Sequence, residues 1–166
     1  MDLQPLWDKI ELSPLGDFIA SSAWAFPTIE SFHVIAIAIV FGTVAIMDLR
    51  LLGLASKSNP VTELSRDTLI WTWGAFLVAA ITGTLLLMSK IHVYVKEPWL
   101  YAKMFLILAA GINMAIFHVV TWKTIGHWDK GPPPRAAKIA GFTSLGLWIV
   151  VVFCARMIGF TLGVYE

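Results

Sequence analysis

The run Thr28-Ile29-Glu30-Ser31-Phe32-His33-Val34-Ile35-Ala36-Ile37-Ala38-Ile39-Val40-Phe41-Gly42-Thr43-Val44-Ala45-Ile46-Met47-Asp48-Leu49-Arg50-Leu51-Leu52-Gly53-Leu54-Ala55 decides the fold. Between Glu30 and Asp48 it holds no carboxylate, lysine or arginine. A bilayer core of roughly 30 Å needs about 20 apolar residues of helix, and this run supplies them. Lipid offers no water to unpaired backbone groups, so a span of this kind is helical.

Three further runs have the same character: about Thr68 to Ser89, Leu100 to Trp122, and Lys138 to Val164. All are too long and too continuous for barrel strands. Breakers separate them: Ser58-Asn59-Pro60, Lys96-Glu97-Pro98 and Gly131-Pro132-Pro133-Pro134. The expected fold is all-α, an integral membrane four-helix bundle over residues 28–166. A tail and a short interfacial amphipathic helix over residues 1–27 precede it. Ser13-Pro14 starts that helix as N-cap and first-turn proline; Leu15, Phe18, Ile19 and Trp24 form its apolar stripe, and Pro27 ends it.

Composition agrees. Hydrophobic residues make up 58% of the 166, and mean hydropathy is +0.76, above the range of soluble domains. A formal net charge of +1 argues against a nucleic-acid partner, which wants a basic face. The single cysteine, Cys154, excludes an intramolecular disulfide and reads as a small core residue. The N-terminus lacks the basic and apolar regions of a secretory signal, so the first span is expected to act as an uncleaved anchor. Lys9, Lys90, Lys96 and Lys103 lie on the N-terminal side of the membrane. Arg50, Lys57, Arg66, Lys123, Lys130, Arg135 and Lys138 lie on the other. The positive-inside rule then expects a bacterial inner-membrane protein with both termini in the periplasm.

Polar side chains inside spans are costly and point to function. His33 sits about one turn into the first span and His92 just past the second. Lys103 opens the third, and Arg156 lies near the end of the fourth. All four are expected near one membrane face. That set suits a b-type haem: His33 and His92 as axial metal ligands from facing helices, Arg156 and Lys103 beside the propionates. His118 lies roughly 22 Å deeper at 1.5 Å per residue and cannot join them. It is a secondary candidate together with Asp48 and Arg50, which stand two apart and do not face each other on a helix.

Trp24-x-x-Pro27-x-x-Glu30-x-x-His33, Gly42 and Asp48-Leu49-Arg50-Leu51-Leu52-Gly53 resemble a family of uncharacterised proteobacterial four-helix membrane proteins. More distantly, His33-Val34-Ile35-Ala36, Arg50 and Trp99-Leu100-Tyr101-Ala102-Lys103 resemble the HemJ-type protoporphyrinogen oxidases. That resemblance implies b-type haem and functional roles for His33, Arg50 and Lys103. Thr82-Gly83-x-Leu85-Leu86 and the Lys103 helix start resemble the CopD-type copper-resistance membrane proteins. The chain departs from the HemJ pattern in its extra N-terminal segment and in Ile39-Val40-Phe41-Gly42 after the first-span histidine.

The function expected is a haem b membrane protein passing electrons between a quinone or periplasmic partner and another redox protein. A HemJ-like porphyrin oxidase, a copper-handling protein and a cofactor-free accessory subunit are the alternatives. The sequence leaves open whether the chain catalyses a reaction and whether it forms a homo-oligomer.

Overall fold

A computed structural model describes residues 4–161 and Gly163. No strand occurs among the described residues. Two short helices come first, α1 (Gln4–Glu11) and α2 (Pro14–Ser21). Ser13 caps α2 as expected, accepting from the Gly16 N–H at 3.1 Å, with Pro14 at the first helical position. The chain turns sharply there: a Cβ on Gly16 would lie 2.6 Å from the Glu11 carbonyl oxygen, so only glycine fits.

The interfacial helix ends earlier than its apolar stripe suggested. Ser22 closes α2, and the Ser22 hydroxyl accepts from the Ala25 N–H at 3.2 Å, starting the next helix. Trp24 therefore belongs to the N-cap of α3 (Ala25–Leu52), and Pro27 sits in the first turn of that helix rather than after α2. A proline in a first turn removes only an N–H that has no partner there, so it starts a helix as readily as it stops one. At the other end Gly53 adopts φ 75°, and its N–H and that of Leu54 bond back to Arg50 and Leu49. This left-handed cap ends α3 before Ala55.

α4 (Val61–Ser89), a short α5 (Ile91–Tyr94), α6 (Pro98–Ile116) and α7 (Arg135–Thr161) follow. α6 runs on through a π turn at Phe117–Thr121 into a 3₁₀ segment, Trp122–His127. Among the described residues four helical stretches are long and apolar enough to cross a membrane: Ala25–Leu52, Val61–Ser89, Pro98–His127 and Arg135–Thr161. Their outward side chains are apolar, for example Ile70 at 74% and Phe142 at 73% exposure, which places the chain in a lipid bilayer. Trp128 is buried with Leu51, Val61, Phe117 and Ala137, its indole N–H donating to Thr124.

The spans pack in the order α4, α3, α7, α6, and α4 and α6 do not pack along their lengths. Thr72 and Thr43 bridge α4 to α3 at 2.8 Å. Gly141 brings α7 onto α3, where a Cβ would lie 3.0 Å from the Asp48 carbonyl oxygen. The Asn113 amide N–H donates to the Ala140 carbonyl at 3.0 Å and ties α6 to α7.

A knot closes the end of the bundle opposite the N-terminal helices. Arg50, 1% exposed, donates from Nε to the Asn59 carbonyl at 3.0 Å and from Nη2 to the Asp129 carbonyl at 3.1 Å. The Asp129 carboxylate accepts the Thr62 N–H at 2.8 Å and its hydroxyl at 2.9 Å, capping the start of α4. Those bonds hold the Asp129 carboxyl below the usual carboxylate range. A carboxyl depressed in the folded state stabilises above its unfolded value and loses that contribution as pH falls through the folded one. Thermal melting should therefore drop on acidification through the carboxylate range, and Asp129→Asn should flatten that part of the profile. An unchanged profile in the variant would count against the latch.

Candidate functional site

The sequence expects four polar groups near one membrane face; of these, the structure brings His33 and Lys103 within electrostatic range of each other. His33 lies eight residues inside α3, about 12 Å from its start, because the helix begins at Ala25, before the expected Thr28. It packs on α4, where a Cβ at Gly83 would meet its Cε1 at 2.9 Å. Its Nδ1 lies 2.9 Å from Thr82 Oγ1. The Thr82 hydroxyl donates to the Val78 carbonyl at 2.7 Å, so it accepts from His33 Nδ1–H. The ring also hydrogen-bonds the Ala79 backbone on the same face of α4. Lys103 lies within electrostatic range of the imidazole and of the buried Cys154 thiol. His33, Thr82, Lys103 and Cys154 thus make the polar level actually built.

His92 does not join His33. Seven residues of α4 separate Thr82 from Ser89, a rise of about 10 Å, and His92 lies beyond them in α5. Its Nε2 pairs with Asp8 of α1 at 2.9 Å, and its backbone N–H donates to Glu11 at 3.2 Å. The expected shared depth of the two histidines fails because the acidic α1 folds back over α5 and takes His92 as its anchor. Arg156 also departs from the expected group. It is exposed on α7, with its guanidinium 4.4 Å from the Phe160 ring centre one turn on. Among the described residues no three His, Cys, Asp or Glu side chains converge on a metal position.

A second polar level lies nearer the Arg50 knot. The unpacked side between α4 and α6 is a cleft of about 190 Å3, floored by α3 and α7. Its walls are mainly apolar and aromatic, with Trp73, Phe76, Phe117 and Trp148 among them. Asp48 and His118, the secondary candidates, both line it. Asp48 is 4% exposed; Ser144 is its hydrogen-bond neighbour, and its Oδ2 has no partner. His118 opens onto the cleft from the π turn, a distortion frequent at functional sites. Its Nδ1–H donates to the Met114 carbonyl at 2.9 Å, and its ring stacks on Trp122 at 5.5 Å. Arg50, the remaining candidate, does not line the cleft and serves the loop knot.

Sequence reasoning missed Asn113, Ser144 and the role of Thr82. Asn113 carried a signal, a lone amide in the middle of an apolar span. Ser144 and Thr82 carried none, because a hydroxyl in a transmembrane helix commonly bonds its own backbone.

Four apolar helices long enough to cross a bilayer, packed side by side, define a multi-pass membrane protein. The chain belongs to a family described as a family of unknown function, DUF6644, matched over residues 9–161. No curated protein and no solved structure matches it.

Proposed function

We propose that this chain binds a lipid-soluble, single-ring compound of the quinone class in the cleft between α4 and α6. One observation carries the reading: an aromatic-walled cavity between α4 and α6, lined by Asp48, whose buried carboxyl oxygen Oδ2 has no partner. Small-ligand sites combine apolar walls with a few converging polar groups in this way. Size favours one ring. An apolar cavity of about 150 Å3 takes up benzene, and this cleft holds about 190 Å3. A tetrapyrrole has four such rings and would need the helices to part. Proteoliposomes should retain a short-chain benzoquinone saturably, at one per chain, above its partition into protein-free liposomes. No saturable excess would overturn the reading.

A second reading keeps haem b, on the level of His33. It is favoured by the Thr82 bond, which fixes the orientation of the ring as second-sphere partners do for metal-ligating histidines. The HemJ resemblance of His33 and Lys103 supports the same pair. His33 is then the one axial ligand drawn from the original pair, and His92 and Arg156 take no part. The purified protein should show a Soret band that His33→Ala abolishes and His92→Ala leaves unchanged. A colourless protein from haem-replete cells overturns this reading and leaves the cleft untouched. Together the two sites make the chain a quinone-linked electron carrier in the inner membrane, with both termini periplasmic. External thiol labelling of a cysteine at position 8 but not at position 130 in intact cells is the expected topology result.

A further inference from the structure

Neither the cleft between α4 and α6 nor the His33 level uses Arg156. A charge on a membrane-spanning helix is costly, so its place there asks for a partner. A guanidinium is a permanent cation whose N–H groups only donate. Among the described residues no carboxylate or carbonyl accepts from Arg156; what it touches is the Phe160 ring, 4.4 Å away. A ring face attracts the charge and offers its N–H groups no oxygen.

Depth says where the missing acceptor lies. The midpoint of α7 (Arg135–Thr161) falls at Trp148, so the Arg156 backbone is about 12 Å from the middle of the helix. The hydrocarbon edge of a bilayer is roughly 15 Å from its centre. The guanidinium lies against Phe160, one turn further out, which the same count puts at about 18 Å. That depth is the headgroup layer, which extends to roughly 20–22 Å. The neighbouring helix agrees. Glu97, the N-cap of α6, accepts from the Thr161 hydroxyl at 2.8 Å, and Trp99 meets the Phe153 ring edge-on at 5.9 Å. The start of α6 is therefore level with Arg156.

The surface around Arg156 has room and an apolar base. Val152 and Phe153 lie one turn deeper on the same face of α7, and both are exposed. Gly159 and Phe160 lie one turn further out, and a Cβ built on Gly159 meets nothing within 4 Å. A notch thus opens beside the guanidinium, with a phenyl ring on either side along the helix. We propose that Arg156 holds one phospholipid of the leaflet on the α1–α2 side by its phosphate. The guanidinium fork matches two phosphate oxygens. Gly159 leaves the space they occupy, and Val152 and Phe153 bear on the acyl chains. The occupant is a lipid rather than a free anion, because a free phosphate would have to leave water for a face whose other side chains are apolar.

Native mass spectrometry of the full chain, stripped of lipid in mild detergent and then given one lipid at a time, tests this. The probes are a phosphatidylglycerol and the diacylglycerol with the same two chains, which lacks the phosphate. Phosphatidylglycerol should be retained at one per chain, about tenfold more tightly than diacylglycerol, since a charge-assisted contact is at stake. Excess inorganic phosphate should not displace it. Arg156→Ala should bring phosphatidylglycerol down to the diacylglycerol level, with an unchanged melting point because the residue is exposed. Arg156→Lys should recover part of the difference, as a point charge without the fork. Gly159→Leu keeps the guanidinium and fills the notch, so it should lower retention too, and it carries the test should Arg156→Ala fail to fold. Equal retention of the two lipids by the unmodified chain overturns the proposal. So does wild-type retention in a folded Arg156→Ala protein, and so does displacement by inorganic phosphate. None of these results bears on the cleft, which Arg156 does not line.

Discussion

Gly111→Phe should abolish saturable ring binding, a loss of more than about a hundredfold in affinity, while leaving the protein as stable as before or more so. Gly111 lies on α6 and lines the cleft, and a Cβ built on it meets nothing within 4 Å. The phenyl ring thus has room to enter the space otherwise open to ligand. A ring-sized obstruction removes most of a cavity of about 190 Å3, and the affinity that depends on filling it goes with the volume. Stability moves the other way, because glycine inside a helix is about 1 kcal/mol less favourable than alanine. Gly111→Ala is the control. It should raise the melting temperature slightly and spare binding. A Gly111→Phe protein that melts normally and still retains the benzoquinone would place the ligand elsewhere.

Arg50→Ala should be the most damaging single change for folding, at about 3–5 kcal/mol. Two hydrogen bonds from a charged donor are lost, each worth about 1.5–3 kcal/mol, and the Asn59 and Asp129 carbonyls are left facing an empty space. Arg50→Lys should recover only part of this, since one ammonium cannot reproduce a planar fork spanning two loops. Melting in a mild detergent measures both. The loss should appear as a lower melting point with ring affinity unchanged in the fraction that stays folded, because Arg50 does not line the cleft. A wild-type melting point in Arg50→Ala would show that the knot is incidental.

The fold was legible in the sequence because lipid imposes one demand on every span, and long uncharged runs between proline and glycine breakers state it directly. The helix ends were less legible. Pro27 and Gly53 are both breakers, yet one opens α3 and the other closes it, and the difference lies in cap geometry that residue type alone does not carry. The site was half legible. Depth can be counted along a sequence, so His33 and Lys103 emerge at one level. Which neighbour a side chain meets depends on how helices are arranged around one another, and that arrangement is not written in hydropathy. His92 was misplaced because α1 was read only as a tail, although its acidic Asp8 and Glu11 supply the partners that hold it. Asp48 and His118 emerged only as secondary candidates, because nothing in the sequence says that α4 and α6 stay apart.

That separation also decides how occupancy of the cleft must be expressed. A solute entering between α4 and α6 arrives sideways from the hydrocarbon, so the concentration that governs filling is its mole fraction among lipids. A compound that partitions strongly into membranes can saturate a site of modest intrinsic strength. Two membranes holding equal amounts of ligand but different amounts of lipid will fill it to different degrees. Detergent tails use the same entrance, so apparent affinity in micelles should weaken as detergent is added, with no change in the protein.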